Sequence, residues 1–104
     1  MREVAMFARV SRYRGDAERL RAGFAAVTAE LEQIDGFAQA FFLTNAEHGR
    51  GMSITLWADE RALEASAERA HRMRTQATEP ADATIESVES YEVVLTARPA
   101  SAAG

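Results

Sequence analysis

The side chains best equipped for chemistry gather on one segment, Glu68 to Arg74. His71 is the acid–base candidate, because an unperturbed imidazole titrates near neutral pH. Arg74 is a fixed cation able to orient a phenolate or a carboxylate. On a helical wheel Arg74 falls about 60° from the centre of the apolar arc and His71 about 120° away, beside Glu64 and Glu68. Glu68-x-x-His71 has the spacing of half a carboxylate-bridged di-iron site. Such a site needs a second copy and further glutamates from other helices, and the chain has one copy, so no metal is expected. His48 falls in the polar loop Asn45–Gly51, where it is expected to be solvated. The sequence contains no cysteine, which removes thiolate catalysis and thiolate metal sites. No glycine-rich phosphate loop, Ser/His/Asp order or paired-histidine motif occurs. Chemistry would therefore rest on acid–base groups and positioning inside an apolar pocket. Candidate walls are Phe7, Phe24, Trp57 and Tyr91. Gly23 interrupts an apolar helical stripe, where it either lets the helix approach the sheet or leaves room for a ligand.

These residues need elements to hold them. Phe37 to Ala58 reads as a β-hairpin with apolar residues on both faces. Phe37, Phe41 and Leu43 alternate with Ala38, Ala40 and Phe42. In the second strand Met52, Ile54 and Leu56 oppose Trp57. Before the hairpin, Val4 to Tyr13 reads as a strand with Phe7 and Arg9 on one face and Met6, Ala8 and Val10 on the other. Asp16 is an N-cap for a helix from Ala17 to about Ile34, with Leu20, Phe24, Val27, Leu31 and Ile34 in one stripe. Asp35 and Gly36 end it. Asp59 caps a second helix, to about Ala77, whose inner face is mostly small: Leu63, Ser66, Ala67, Ala70, Met73 and Ala77. Thr84 to Thr96 reads as a last strand, with Ile85, Tyr91, Val93 and Leu95 opposite Val88 and Val94.

The order strand, helix, strand, strand, helix, strand predicts a ferredoxin-like α+β fold, with one four-stranded antiparallel sheet and two helices on one face. One domain, residues 1–98, is expected, with a disordered tail over 99–104. Since the sheet carries large apolar residues on both faces, a second copy is expected to cover the bare one, giving a homodimer through sheet faces.

The chain has 104 residues and a net charge of −4, which argues against nucleic acid as a partner. The cluster Arg9, Arg12, Tyr13 and Arg14 splits between two strand faces and forms no nucleic-acid patch. No apolar run approaches a membrane span, and no signal peptide is visible, so a cytoplasmic location is expected.

Three stretches resemble antibiotic-biosynthesis-monooxygenase-type domains. Ile34–Leu43, IDGFAQAFFL, is similar to that family's passage from helix into strand. Met52–His71, MSITLWADERALEASAERAH, is similar to its third strand, turn and second helix, and Tyr91–Arg98, YEVVLTAR, to its closing strand. The resemblance implies a dimeric α+β barrel with a cavity between each sheet and its helices. Some relatives oxygenate aromatic polyketide phenols with molecular oxygen and no metal or flavin; others bind and degrade haem. The haem-degrading relatives' asparagine falls on Phe7 and their tryptophan on Ser66, while His71 corresponds to their histidine only across a deletion of about one turn. Two of these three positions depart, so the resemblance implies no cofactor. The expected activity is cofactor-independent oxygenation of an aromatic or apolar metabolite. A non-enzymatic ligand-binding or protein-interaction module is the alternative.

Overall fold

The computed structural model describes residues 5–100. Strand β1 (Phe7–Arg14) leads into helix α1 (Ala17–Leu31), then the hairpin β2 (Phe37–Asn45) and β3 (Arg50–Trp57). Two helices, α2 (Glu60–Ala65) and α3 (Ala67–Thr78), precede β4 (Thr84–Glu92). The strands form one antiparallel sheet in the order β2-β3-β1-β4. This is the expected ferredoxin-like α+β pattern, with the second helix divided in two. Val4, the expected start of β1, and the end of the expected tail lie outside the described residues.

Local chemistry explains the element ends. The Asp16 carboxylate accepts from Arg19 N at 3.0 Å, and the Asp59 carboxylate accepts from Ala62 N at 2.8 Å. Each satisfies an amide that the first helical turn leaves free. Gly36 turns the chain into β2 with φ of +84°, a conformation that favours glycine, and a Cβ there would lie 2.3 Å from that of Ala62.

The register assigns each sheet face. Phe7, Arg9, Ser11 and Tyr13 of β1 stand opposite Trp57, Thr55, Ser53 and Gly51 of β3. These residues, with Phe42 and Ala40 of β2, face the helices. Core side chains Leu20, Phe24, Val27, Leu31, Leu63, Met73 and Ala77 cover them. The opposite face carries Val10, Phe41, Leu43, Met52, Ile54, Leu56 and Tyr91, with nothing from the chain's helices over it.

Four expectations need correcting. A register shift between Phe37 and Gln39 places Phe37 on the Trp57 face, edge-on to that indole at 5.8 Å, rather than with Phe41 and Leu43. A second shift, where Tyr13 pairs with Ile85 and Arg12 with Ser87, puts Ile85 and Tyr91 on opposite faces. A bulge inserts one residue and resets the alternation beyond it. β4 ends at Glu92, so Val93 continues the sheet only by its N–H to the Met6 carbonyl at 2.9 Å. The second helix breaks at Ser66, whose hydroxyl donates to the Leu63 carbonyl at 2.8 Å.

Candidate functional site

A small cavity of about 40 Å³ lies between the inner sheet face and the pair α1 and α3. That is room for about three water-sized groups. Its floor is Arg9, Ser11 and Tyr13 of β1 with Ser53, Thr55 and Trp57 of β3, and its roof includes Phe24 of α1 and Met73 and Arg74 of α3.

Trp57 is wholly buried and donates its indole N–H to Thr55 Oγ1 at 2.9 Å. The Tyr13 hydroxyl pairs with Ser53 Oγ at 2.8 Å. Tyr13 meets Phe24 edge-on at 5.2 Å, and Phe24 leans on Phe42 at 5.0 Å. Phe24 and Phe42 also wall a larger outer groove of about 370 Å³, bordered by Arg21, Thr28 and Thr44. The aromatic pair therefore stands between the inner cavity and the outer groove.

Two guanidinium groups share the inner cavity. Arg9 is 6% exposed. It donates Nη1 to Ser66 Oγ at 3.2 Å and Nη2 to the Leu63 carbonyl at 2.7 Å. The break after α2 supports this contact, because carbonyls in a last helical turn need outside donors. The Trp57 ring lies 5.6 Å from the Arg9 guanidinium, a favourable cation–π distance. Arg74 is half-buried, and its Nε is buried with no hydrogen-bond partner among the described residues. Burial, and then the like charge of Arg74, push the Arg9 guanidinium down from arginine's ordinary value to about 10. Burial likewise lowers Arg74, and Tyr13 partly opposes the shift. At about 10 the Arg9 guanidinium remains a cation at neutral pH, and arginine side chains in proteins are in general charged there.

Of the expected site residues, Phe24, Trp57 and Arg74 meet at this cavity. Phe7 faces the same way and packs against the core but does not line the space. Gly23 provides neither ligand room nor helix-on-sheet contact. A Cβ there would lie 2.1 Å from the Ala77 carbonyl oxygen, so Gly23 lets α1 and α3 touch backbone to backbone. His71 is exposed and does not line the cavity; its carbonyl accepts from Thr75 Oγ1, and its ring makes no hydrogen bond or ion pair among the described residues. Tyr91 lies on the open sheet face and donates to Glu89 at 2.9 Å, because the β4 bulge turns it away from the helices. Ser66, at the haem-type tryptophan position, is committed to Arg9 and Leu63. Among the described residues no cluster of three or more His, Asp or Glu is placed to hold a metal, and no helix is long and apolar enough to cross a membrane.

Arg9 is the site residue that the sequence reading passed over. Strand alternation sets it beside Phe7 and Tyr13 on one face, within a run of arginines that splits between the two faces.

No family model and no curated protein matches the chain. Solved structures match its fold. The cofactor-independent oxygenase SnoaB of Streptomyces nogalater superposes with a TM-score of 0.62 at 18% identity, over 92% of this chain and 96% of that one. A candidate antibiotic biosynthesis monooxygenase of Deinococcus radiodurans gives 0.68 at 14% identity, over 89% and 97%. NE2512 of Nitrosomonas europaea, a protein of unknown function, gives 0.68 at 17% identity, over 95% and 99%. The chain thus has the fold of antibiotic-biosynthesis-monooxygenase-type domains.

Proposed function

We propose that the chain is a monooxygenase-type domain that binds an aromatic or apolar metabolite between sheet and helices and oxygenates it without a cofactor. The observation that carries this reading is an aromatic-walled cavity with one arginine in its floor and one in its roof, in the fold shared with an oxygenase of that kind. In such a reaction an ionised substrate is itself the reductant. One atom of O₂ enters the substrate; the other leaves as water with two substrate hydrogens. The protein's part is to orient the ring, exclude water and hold the anion. Trp57 and Phe24 serve as walls, and Arg74 and Arg9 as the polar groups. His71, on the outer surface of α3, has no access to the reacting centre.

The domain works as a homodimer through its open sheet faces. Phe41, Leu43 and Tyr91 are 48%, 45% and 46% exposed on one apolar surface, more than a stable monomer usually leaves wet.

One observation favours a second reading, a ligand-binding module without activity: no carboxylate or imidazole lines the cavity among the described residues. Oxygen uptake with a panel of electron-rich hydroxylated aromatics separates the two. Uptake with stoichiometric product supports the oxygenase. Measurable binding across the panel with no uptake leaves the binding module.

A further inference from the structure

The chain has 16 acidic and 12 basic residues, yet two arginines face its inner cavity with no acidic wall among the described residues. The described arginine ion pairs lie elsewhere: Arg12 with Glu89, Arg14 with Glu86, and Arg69 with Glu30. Arg9 is held by neutral acceptors and by the indole face. Arg74 leaves a buried N–H unmatched. Two like charges brought out of water without a counter-charge disfavour the empty state, and a buried donor without an acceptor adds to that cost. An entering anion relieves both.

The shape of the space says how such a ligand would sit. The inner cavity holds a charged head and little more, about 40 Å³, whereas the outer groove beyond Phe24 and Phe42 has about 370 Å³. Drug-sized ligands occupy roughly 300–1,000 Å³. Phe24 and Phe42, in contact at 5.0 Å, close the passage between the two volumes, so a planar body in the groove brings its anionic oxygen into the cavity only when the Phe42 ring swings aside.

We propose that the Arg9–Arg74 cavity is an anion site, which selects ligands carrying a carboxylate or an ionised enol or phenol oxygen conjugated to an aromatic ring. The proposal rests on the preceding reading and deepens it by naming the class of anion, a carboxylate or a conjugated enol or phenol oxygen, that the pair of cations selects. It also gives the ionised form a cause: the two cations favour the conjugate base of the ligand, so no cavity base is needed to hold it ionised.

Calorimetric titration tests it with two matched pairs at neutral pH: benzoate against benzamide, and the acidic enol lawsone against its uncharged methyl ether. The expected result is that an anion binds at least about tenfold tighter than its neutral partner, the range of a charge-assisted hydrogen bond. Preference in the benzoate pair identifies the carboxylate as the recognised source, and preference in the lawsone pair the ionised enol. In Arg9→Gln and Arg74→Gln the preference should fall below about threefold, with circular dichroism confirming the fold. Arg74→Met keeps the packing of the stem and serves where glutamine does not fold. Equal binding of charged and neutral partners, binding of neither, or an undiminished preference in a folded variant overturns the proposal. Oxygen uptake is not read in this experiment. A chain that prefers anions but consumes no oxygen keeps the anion site and loses the oxygenase. Turnover of neutral aromatics without anion preference does the reverse.

Discussion

Arg9 reaches across the floor of the cavity, and its burial brings its charge state within reach of an accessible change of pH. With its pKa pushed down to about 10, the free protein holds the cation below that pH and loses it above. Benzoate affinity should be level between about pH 6 and pH 9 and fall as pH rises through about 10. The stability linkage has the opposite sign. Between about 10 and arginine's higher ordinary value, the unfolded chain holds more protons, so Arg9 alone contributes stability that increases with pH. Calorimetry across the pH range checks the binding limb; affinity unchanged above pH ~10.5 would show Arg9 to be a bystander. The neighbouring Phe42 answers a different question, that of entry. Phe42→Ala merges the inner cavity with the outer groove at a cost of about 2 kcal/mol, less than a fully buried phenylalanine. Trp57 is the chain's single tryptophan and lines the cavity, so its fluorescence reports arrival directly. Stopped-flow association of lawsone should be about tenfold faster in Phe42→Ala. An unchanged rate would mean that the ligand enters by another route.

At the scale of elements, α1 and α3 are locked by a contact that helix propensity alone would forbid. Alanine exceeds glycine by about 1 kcal/mol inside a helix, so Gly23→Ala looks stabilising from the sequence. The Ala77 carbonyl 2.1 Å from the new Cβ reverses the sign. A net loss of about 1–3 kcal/mol is expected in urea unfolding, because the helices must move apart or strain. A stabilised variant would contradict the close approach. The same elements show what was legible beforehand. Element order, caps at Asp16 and Asp59, and the inward stripe of Leu20, Phe24, Val27 and Leu31 follow from local periodicity, and all are present in the structure. What failed lies where one inserted residue resets a two-residue period. The irregularity after Phe37 and the bulge in β4 exchanged the faces of Phe37 and Ile85, and with them the expectation that Tyr91 enters the cavity. At the break Ser66 accepts from Arg9, 57 residues away, and no window along the helix contains that partner. The cavity was half-visible for the same reason. Its walls follow local patterns, whereas the pairing of Arg9 with Arg74 is made only when β1 and α3 meet.

For the whole molecule the decisive surface is the sheet face turned away from the helices. Phe41, Leu43 and Tyr91 are each nearly half exposed, and Val10, Met52, Ile54 and Leu56 lie between them. The ion pairs Arg12–Glu89 and Arg14–Glu86, both at 2.9 Å, join β1 to the edge strand β4 beside this apolar area. A twofold axis through the face would set apolar against apolar at its centre and bring charges of both signs together at the margin. Exposed ion pairs add little to affinity but penalise wrong registers, so in such a dimer the apolar centre would carry the association. The chain should therefore scatter light as a particle of about twice 11.4 kDa at micromolar concentration. Phe41→Asp places a charge on that surface, in the edge strand β2, and should shift the mass toward the single chain. Because Phe41 faces away from the cavity, a folded monomeric variant should still prefer benzoate to benzamide. Loss of that preference on dissociation would mean that the second copy helps to shape the cavity, whereas a wild-type chain that scatters as a single protomer would end the dimer proposal.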